Sequence, residues 1–222
     1  YTTSSVTAPT GRPTDVVMTS STGNVTVNCW VHNFTKWVTF RDAVTNNAIL
    51  AIHDNQSNLG LVTVDVYKDA TPPVIYNNGL ATNCTWTQHT AMRRHFKMTT
   101  TVAPTNAVDV MLFFTDQDYQ TLKADAWNHN TGYPNANYAC TALDAVYSFN
   151  QMYVTKYSGT GEDGNYLNNS PSGLYKVYGD NTTPYRPLTR GEYTGSGTGF
   201  QGIYGGAQTH HYVQMSVTEF SE

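Results

Sequence analysis

The stretch that decides the fold is Ala48-Ile49-Leu50-Ala51-Ile52-His53, followed after Asp54-Asn55-Gln56-Ser57-Asn58 by Leu61-Val62-Thr63-Val64-Asp65-Val66-Tyr67. In the first run Ala48, Leu50 and Ile52 fall on one side of an extended chain, with Ile49, Ala51 and His53 on the other. In the second, Val62, Val64 and Val66 share a face, with Thr63 and Asp65 opposite. A period of two on either side of a loop of turn-forming Asp and Asn predicts a half-buried antiparallel hairpin. The first strand is apolar on both faces, which predicts a strand inside a sheet covered on both sides.

The same alternation extends outward. Val16 to Ser20 and Asn24 to His32 read as the first strands, and Trp37-Val38-Thr39-Phe40 follows. Thr71 to Thr85 carries Pro72-Pro73 and Asn77-Asn78-Gly79 and reads as a surface excursion. Met92, Arg94, Phe96 and Met98 alternate with Arg93, His95 and Lys97. Arg94 then sits either near a strand end or as a buried cation that needs a partner. Val108, Val110, Leu112 and Phe114 form the clearest inward face. From Asp116 to Ala126 the period changes, with Tyr119, Leu122 and Ala126 at helical spacing behind Thr115 or Asp116 as cap, so one short helix is expected there. Gln151 to Tyr157 reads as a strand, and Gly159 to Gly173 as a polar loop. His211, Val213, Met215 and Val217 point inward on the last strand. The fold expected is all-β, an antiparallel, jelly-roll-like β-sandwich with one helix around 116–126. Residues 1–13, rich in Thr, Ser, Pro and Gly, form a flexible N-terminal segment before a single domain over 14–222.

Composition narrows the functional classes. Of 222 residues only 13% are charged, with 16 Tyr and 4 Trp, so the surface is built from hydroxyls and amides. That pattern suits an extracellular β-protein. A net charge of −4 supplies no electrostatic footprint for nucleic acid or an anionic membrane. No apolar run approaches the roughly 20 residues needed to span a bilayer as a helix. Cys29, Cys84 and Cys140 form no Cys-x-x-Cys pair, which argues against a zinc knuckle. One disulfide and one free thiol are expected. Cys84 and Cys140, both in polar loop-like sequence, are the candidate pair, and Cys29 reads as a small buried hydrophobe.

Chemistry-bearing clusters are few. The glutamates Glu162, Glu192, Glu219 and Glu222 form no period-two pair, and Asp116 and Asp118 open the helix, where acids complement its dipole. His210 and His211 are adjacent on a strand and point to opposite faces, so they do not share an ion, and His211 is expected to pack in the core. No cofactor is expected. Calcium is the one ion kept open, at Asp54-Asn55 with Asn58 or Glu162-Asp163 with Asn165, against plain turn chemistry by the same residues. Tyrosines among Gly, Asn and Thr from Tyr157 to Tyr204 suit contact with sugar or protein, and suit packing and assembly contacts better still. Tyr166, Tyr178 and Tyr193 are the candidate contact residues.

Two blocks carry a resemblance. Ile49-Leu50-Ala51-Ile52-His53 with Asn58-Leu59-Gly60 is one. The other is Met92-Arg93-Arg94-His95-Phe96-Lys97-Met98 with Leu112-Phe113-Phe114-Thr115-Asp116-Gln117-Asp118-Tyr119. Together with the closing Val217-Thr218-Glu219-Phe220-Ser221, they resemble the β-sandwich module that precedes the sorting domain in proteins exported by the type IX secretion system of Bacteroidota. The likeness covers about residues 26 to 125 and the last dozen. Cys29-Trp30-Val31-His32 departs from the Gly-Trp-Thr pattern usual in that family. The resemblance implies a secreted module with no catalytic residues to carry over. It also implies a precursor with a signal peptide and a C-terminal sorting domain, of which this chain, opening at Tyr1, is a mature or trimmed piece. The expected role is non-catalytic: adhesion, ligand contact or presentation of a neighbouring domain at the cell surface. Its partners would be protein or glycan, without nucleic acid or membrane insertion. The alternatives are a self-assembling subunit of an extracellular fibre or surface layer, suited to strand exchange, and a hydrolase using loop carboxylates.

Overall fold

A computed structural model describes residues 15–18, 25–31, 37–42, 48–68, 70, 74–76, 88–131, 152–157, 175–179, 186–193 and 210–220. They form thirteen strands and one helix, so the described part of the chain is all-β, with mostly antiparallel sheets and one helical insertion. In order they are β1 Asp15–Met18, β2 Val25–Val31, β3 Val38–Asp42, β4 Ala48–His53, β5 Gly60–Lys68, β6 Val74–Tyr76 and β7 Gln88–Thr90. Then come β8 Arg94–Thr100, β9 Val108–Thr115, α1 Asp116–Thr131, β10 Val154–Tyr157, β11 Tyr175–Tyr178, β12 Thr189–Tyr193 and β13 His210–Val217.

A six-stranded sheet runs β1-β3-β4-β9-β13-β12, and a three-stranded sheet runs β2-β5-β8. The pairs β10-β11 and β6-β7 are two-stranded, so the expected excursion after Thr71 contains a short ribbon strand. All pairings are antiparallel except β1 with β3.

The expected hairpin of β4 and β5 is corrected. Both strands exist, but β4 pairs with β3 and β9 while β5 pairs with β2 and β8. The link between them crosses from one sheet to the other. Its backbone explains why. Asn55 and Gln56 take φ of 47° and 69°, the Ser57 amide donates to the Asp54 carbonyl at 2.8 Å, and Gly60 takes a φ of 64°. The Leu59 amide then donates to the Val31 carbonyl at 3.3 Å, which hands the chain to β2. The return link, residues 101–107, is laced to this one. Asn55 Nδ2 donates to the Ala107 carbonyl at 2.9 Å, and the Asn106 amide donates to Ser57 Oγ at 2.9 Å.

The inward faces match the alternation. Val62, Val64 and Val66 of β5 and Val108, Val110 and Phe114 of β9 join Val213, Met215 and Val217 of β13 in one apolar cluster shared by the two sheets. Leu112, expected fully inside, is only half-buried. Met111 and Phe113, on the other side of β9, are buried with Ala48 and Ala51. Ala48 was expected beside Leu50. Pairing slips between Phe40↔Leu50 and Arg41↔Ala48, which leaves Ile49 as the extra residue of a β-bulge. Ile49 and Leu50 therefore both reach the shared cluster, and Ala48 falls with Ala51.

Strand β9 runs directly into α1. Thr115 Oγ1 accepts from the Asp118 amide at 3.1 Å and donates to Asp118 Oδ2, which also accepts from the Thr115 amide at 3.0 Å. This is a capping box with aspartate in the glutamate position. The helix extends to Thr131, past the expected end near 126.

Candidate functional site

Several polar groups of the resemblance blocks are committed to the scaffold. Asp118, besides capping, meets Arg94 at 3.4 Å, so Arg94 is both the first residue of β8 and a largely buried, partnered cation. Arg93 clamps Asp125 with Nε at 2.8 Å and an Nη at 2.7 Å, and its other Nη donates to the Ala70 carbonyl at 2.9 Å. That fork holds the middle of α1 to the start of β8. Its geometry, first the hydrogen bond to Asp125 and then the charge, raises the Arg93 pKa. Gly60 has no alternative, because a Cβ there would collide with Thr101 Oγ1 at a positive φ.

The two expected carboxylates at the helix start separate in role. Asp118 closes the cap, while Asp116 Oδ1 lies 3.2 Å from His211 Nε2. His211 is buried as expected, stacked on Phe114 at 5.6 Å and tilted against Tyr119 at 5.3 Å.

The calcium-candidate loop is closed on itself. Asp54 Oδ1 accepts from the Gln56 amide at 3.1 Å, Asn58 Oδ1 from the Gly60 amide at 3.1 Å, and Asn55 Oδ1 from His53 Nδ1 at 2.5 Å. These are the turn bonds that Asp and Asn side chains make to nearby groups. Among the described residues no three metal-ligating side chains converge. The second calcium candidate, Glu162-Asp163 with Asn165, lies outside the described residues, as do Tyr166, Cys84 and Cys140. Cys29 lies on β2 opposite Val62.

The tyrosine expectation divides. Tyr193 ends β12 opposite His210, and its side chain lies outside what is described. Tyr178 was expected as a contact residue and is instead buried, packed into the shared cluster from β11. Burial raises its pKa. Among the described residues the tyrosine that faces out is Tyr153, 52% exposed, with the Arg190 guanidinium 6.0 Å from its ring centre. The clue was in the alternation, since buried Met152 beside it sends Tyr153 the other way.

Arg190 organises this region. It reaches from β12, on the edge of the large sheet, to the Met152 carbonyl with Nε at 2.7 Å and also with an Nη. The same Nη donates to the Gly179 carbonyl at 3.3 Å. One cation therefore ties the chain ahead of β10 and the end of β11 to the six-stranded sheet. The positive φ of 90° at Gly179 goes with a backbone that a Cβ would drive into Arg190 and Leu188. On the ribbon, Lys156 of β10 stands directly opposite Lys176 of β11, and Lys176 Nζ pairs with Glu219 beyond β13. The candidate contact surface is this region, where Tyr153 is exposed. Comparison with protein-family models, with curated proteins and with solved structures finds no match to the chain.

Proposed function

We propose that the chain is a non-catalytic, exported β-sheet module of the cell surface, serving adhesion, ligand contact or presentation of a neighbouring domain. One observation carries the reading. The polar residues in the blocks that resemble the type IX secretion module do structural work: Asp118 caps and pairs, Arg93 forks onto Asp125, and Gly60 makes room for Thr101. A motif in which Asp118, Arg93 and Gly60 serve the scaffold suits a presenting module better than a reaction centre. Recognition would then fall to the region around Tyr153 and Arg190.

The test is surface shaving of intact source cells with protease, followed by mass spectrometry. Release of peptides from this chain, lost when the sequence downstream of Glu222 is deleted from the gene, is expected. Recovery only from the cytoplasmic fraction would defeat the proposal. A saturable signal on a glycan array would then assign the ligand class.

Assembly into a fibre or layer is the second reading, favoured by β1. This N-terminal strand lies parallel to β3 at the edge of the large sheet. The same strand from a neighbouring subunit would fit that edge by strand exchange. Ordered polymers of purified protein in electron micrographs would favour it, and a uniform monomer at high concentration would count against it.

A further inference from the structure

The ribbon of β10 and β11 has two unlike faces. Met152 is buried and Val154 packs against the shared cluster, so Tyr153, Thr155 and Tyr157 alternate to the other side. Tyr153 is exposed, and Thr155 and Tyr157 each show part of their surface. On β11, Val177 and Tyr175 hold the positions opposite Thr155 and Tyr157. Tyr153 and Tyr157 stand about 13 Å apart along an extended strand. Arg190 lies at the Tyr153 end, its guanidinium carbon 6.0 Å from the ring centre. Its Nε and one Nη are spent on the Met152 and Gly179 carbonyls. Of the guanidinium's N–H donors, these three bonds leave both on the other Nη.

We infer, on the reading of this region as the contact surface, that the strip binds an extended, carboxylate-bearing polysaccharide, a polyuronate. Pyranose rings present flat C–H faces, which pack on the faces of phenol rings. Tyrosines spaced along one side of a strand suit a chain of such rings. The carboxylate of the unit at the Tyr153 end accepts from the remaining Nη N–H groups of Arg190. That guanidinium is already oriented by its carbonyl bonds, so little freedom is lost when the carboxylate arrives. An acidic peptide fits less well. It would ask for a row of cations, and Lys156 and Lys176, opposed to each other, lie on the other face of the ribbon from Thr155 and Tyr157.

The experiment measures binding of hexagalacturonate to the full chain by calorimetry, with a chelator present so that no calcium bridges carboxylates. Saturable binding is expected, weakened about tenfold by methyl esterification, which removes the charge and keeps the rings. Rising salt should weaken it as well. Digalacturonate, too short to reach from Tyr153 to Tyr157, should bind more weakly. Tyr153→Ala should cost about tenfold in affinity with an unchanged melting temperature, and Tyr153→Phe should retain binding. Absence of binding, equal affinity for the esterified chain or the dimer, or tighter binding of oligoglutamate would overturn the proposal. So would full binding by Tyr153→Ala. Surface shaving is a separate measurement. A chain exported yet indifferent to hexagalacturonate would remove this ligand and leave the proposed function standing, and binding by a chain found only in the cytoplasm would do the reverse.

Discussion

Two regions of this chain are held together by different means. Across β4, β5, β9 and β13 the order comes from alternation, with apolar side chains from two sheets meeting in one cluster. In the region of β10, β11 and β12, Met152, Tyr178 and Leu188 join the same cluster, and polar side chains that reach for backbone add a second hold, chiefly Arg190 on the Met152 and Gly179 carbonyls. Apolar burial is non-directional and grows with area, so it tolerates small shifts and is legible as a period in the sequence. A guanidinium on two carbonyls is directional and local, and leaves no period to read.

The comparison is broken most forcefully in the core. Phe40→Ala, at a side chain with no exposure, should cost about 3–5 kcal/mol in denaturant unfolding, whereas half-buried Leu112→Ala should cost clearly less. Equal losses at the two positions would mean the shared cluster is misassigned. In the other region, Arg190→Ala should cost about 2 kcal/mol, because hydrogen bonds to a charged donor are worth about 1.5–3. Hydrogen exchange should rise in Val154–Tyr157 and stay unchanged in β9, and uniform acceleration would show that the two regions unfold as one.

Lys156→Met sharpens the contrast from the opposite direction. A lysine whose folded pKa lies below its unfolded one binds fewer protons when folded, so it destabilises at low pH, and stability rises between about pH 8 and 10.5. The substitution should therefore stabilise by about 1 kcal/mol at pH 7, after allowance for solvent screening, and remove that rise. Unchanged pH dependence would count against the buried charge. The smallest effect is expected at the crossover. Gln56 takes a left-handed φ of 69°, and Gln56→Gly should stabilise by about 0.5–1 kcal/mol, read as a small increase in melting temperature. A loss there would mean the Gln56 side chain contributes more than its backbone costs.

Much of the larger region was readable because each strand carries its own face. Val62, Val64 and Val66, and likewise His211 to Val217, needed only a period of two. The partner of β5 was not readable in the same way. A polar turn between two alternating strands announces a hairpin, and only the left-handed residues and the Leu59 bond to Val31 turn this one into a crossing between sheets. The bulge at Ile49 hid for a related reason, since an apolar residue on both faces leaves no alternation to be broken. The full length of α1 was better signposted, because the sequence carries the stop signals Gly132 and Pro134 just after Thr131. In the candidate site, Tyr178 was misjudged from its glycine-rich neighbourhood. Tyr-Lys-Val-Tyr is itself a strand, and one of its faces had to go inside.

The pairing of β9 with β13 sets an order of events during synthesis. Ser216 bonds to Asp109 across 107 residues of chain, so β9 has one flank unfilled until the segment from His210 onward has emerged. Until then a strand with Met111 and Phe113 on one face and Val108 and Val110 on the other stands as a long apolar edge, the kind of template on which chains aggregate. Translation that stalls in the glycine-rich stretch before His210 would release that edge uncovered. Holding the nascent chain apart from its copies until β13 docks is therefore a demand this topology places on whatever handles it.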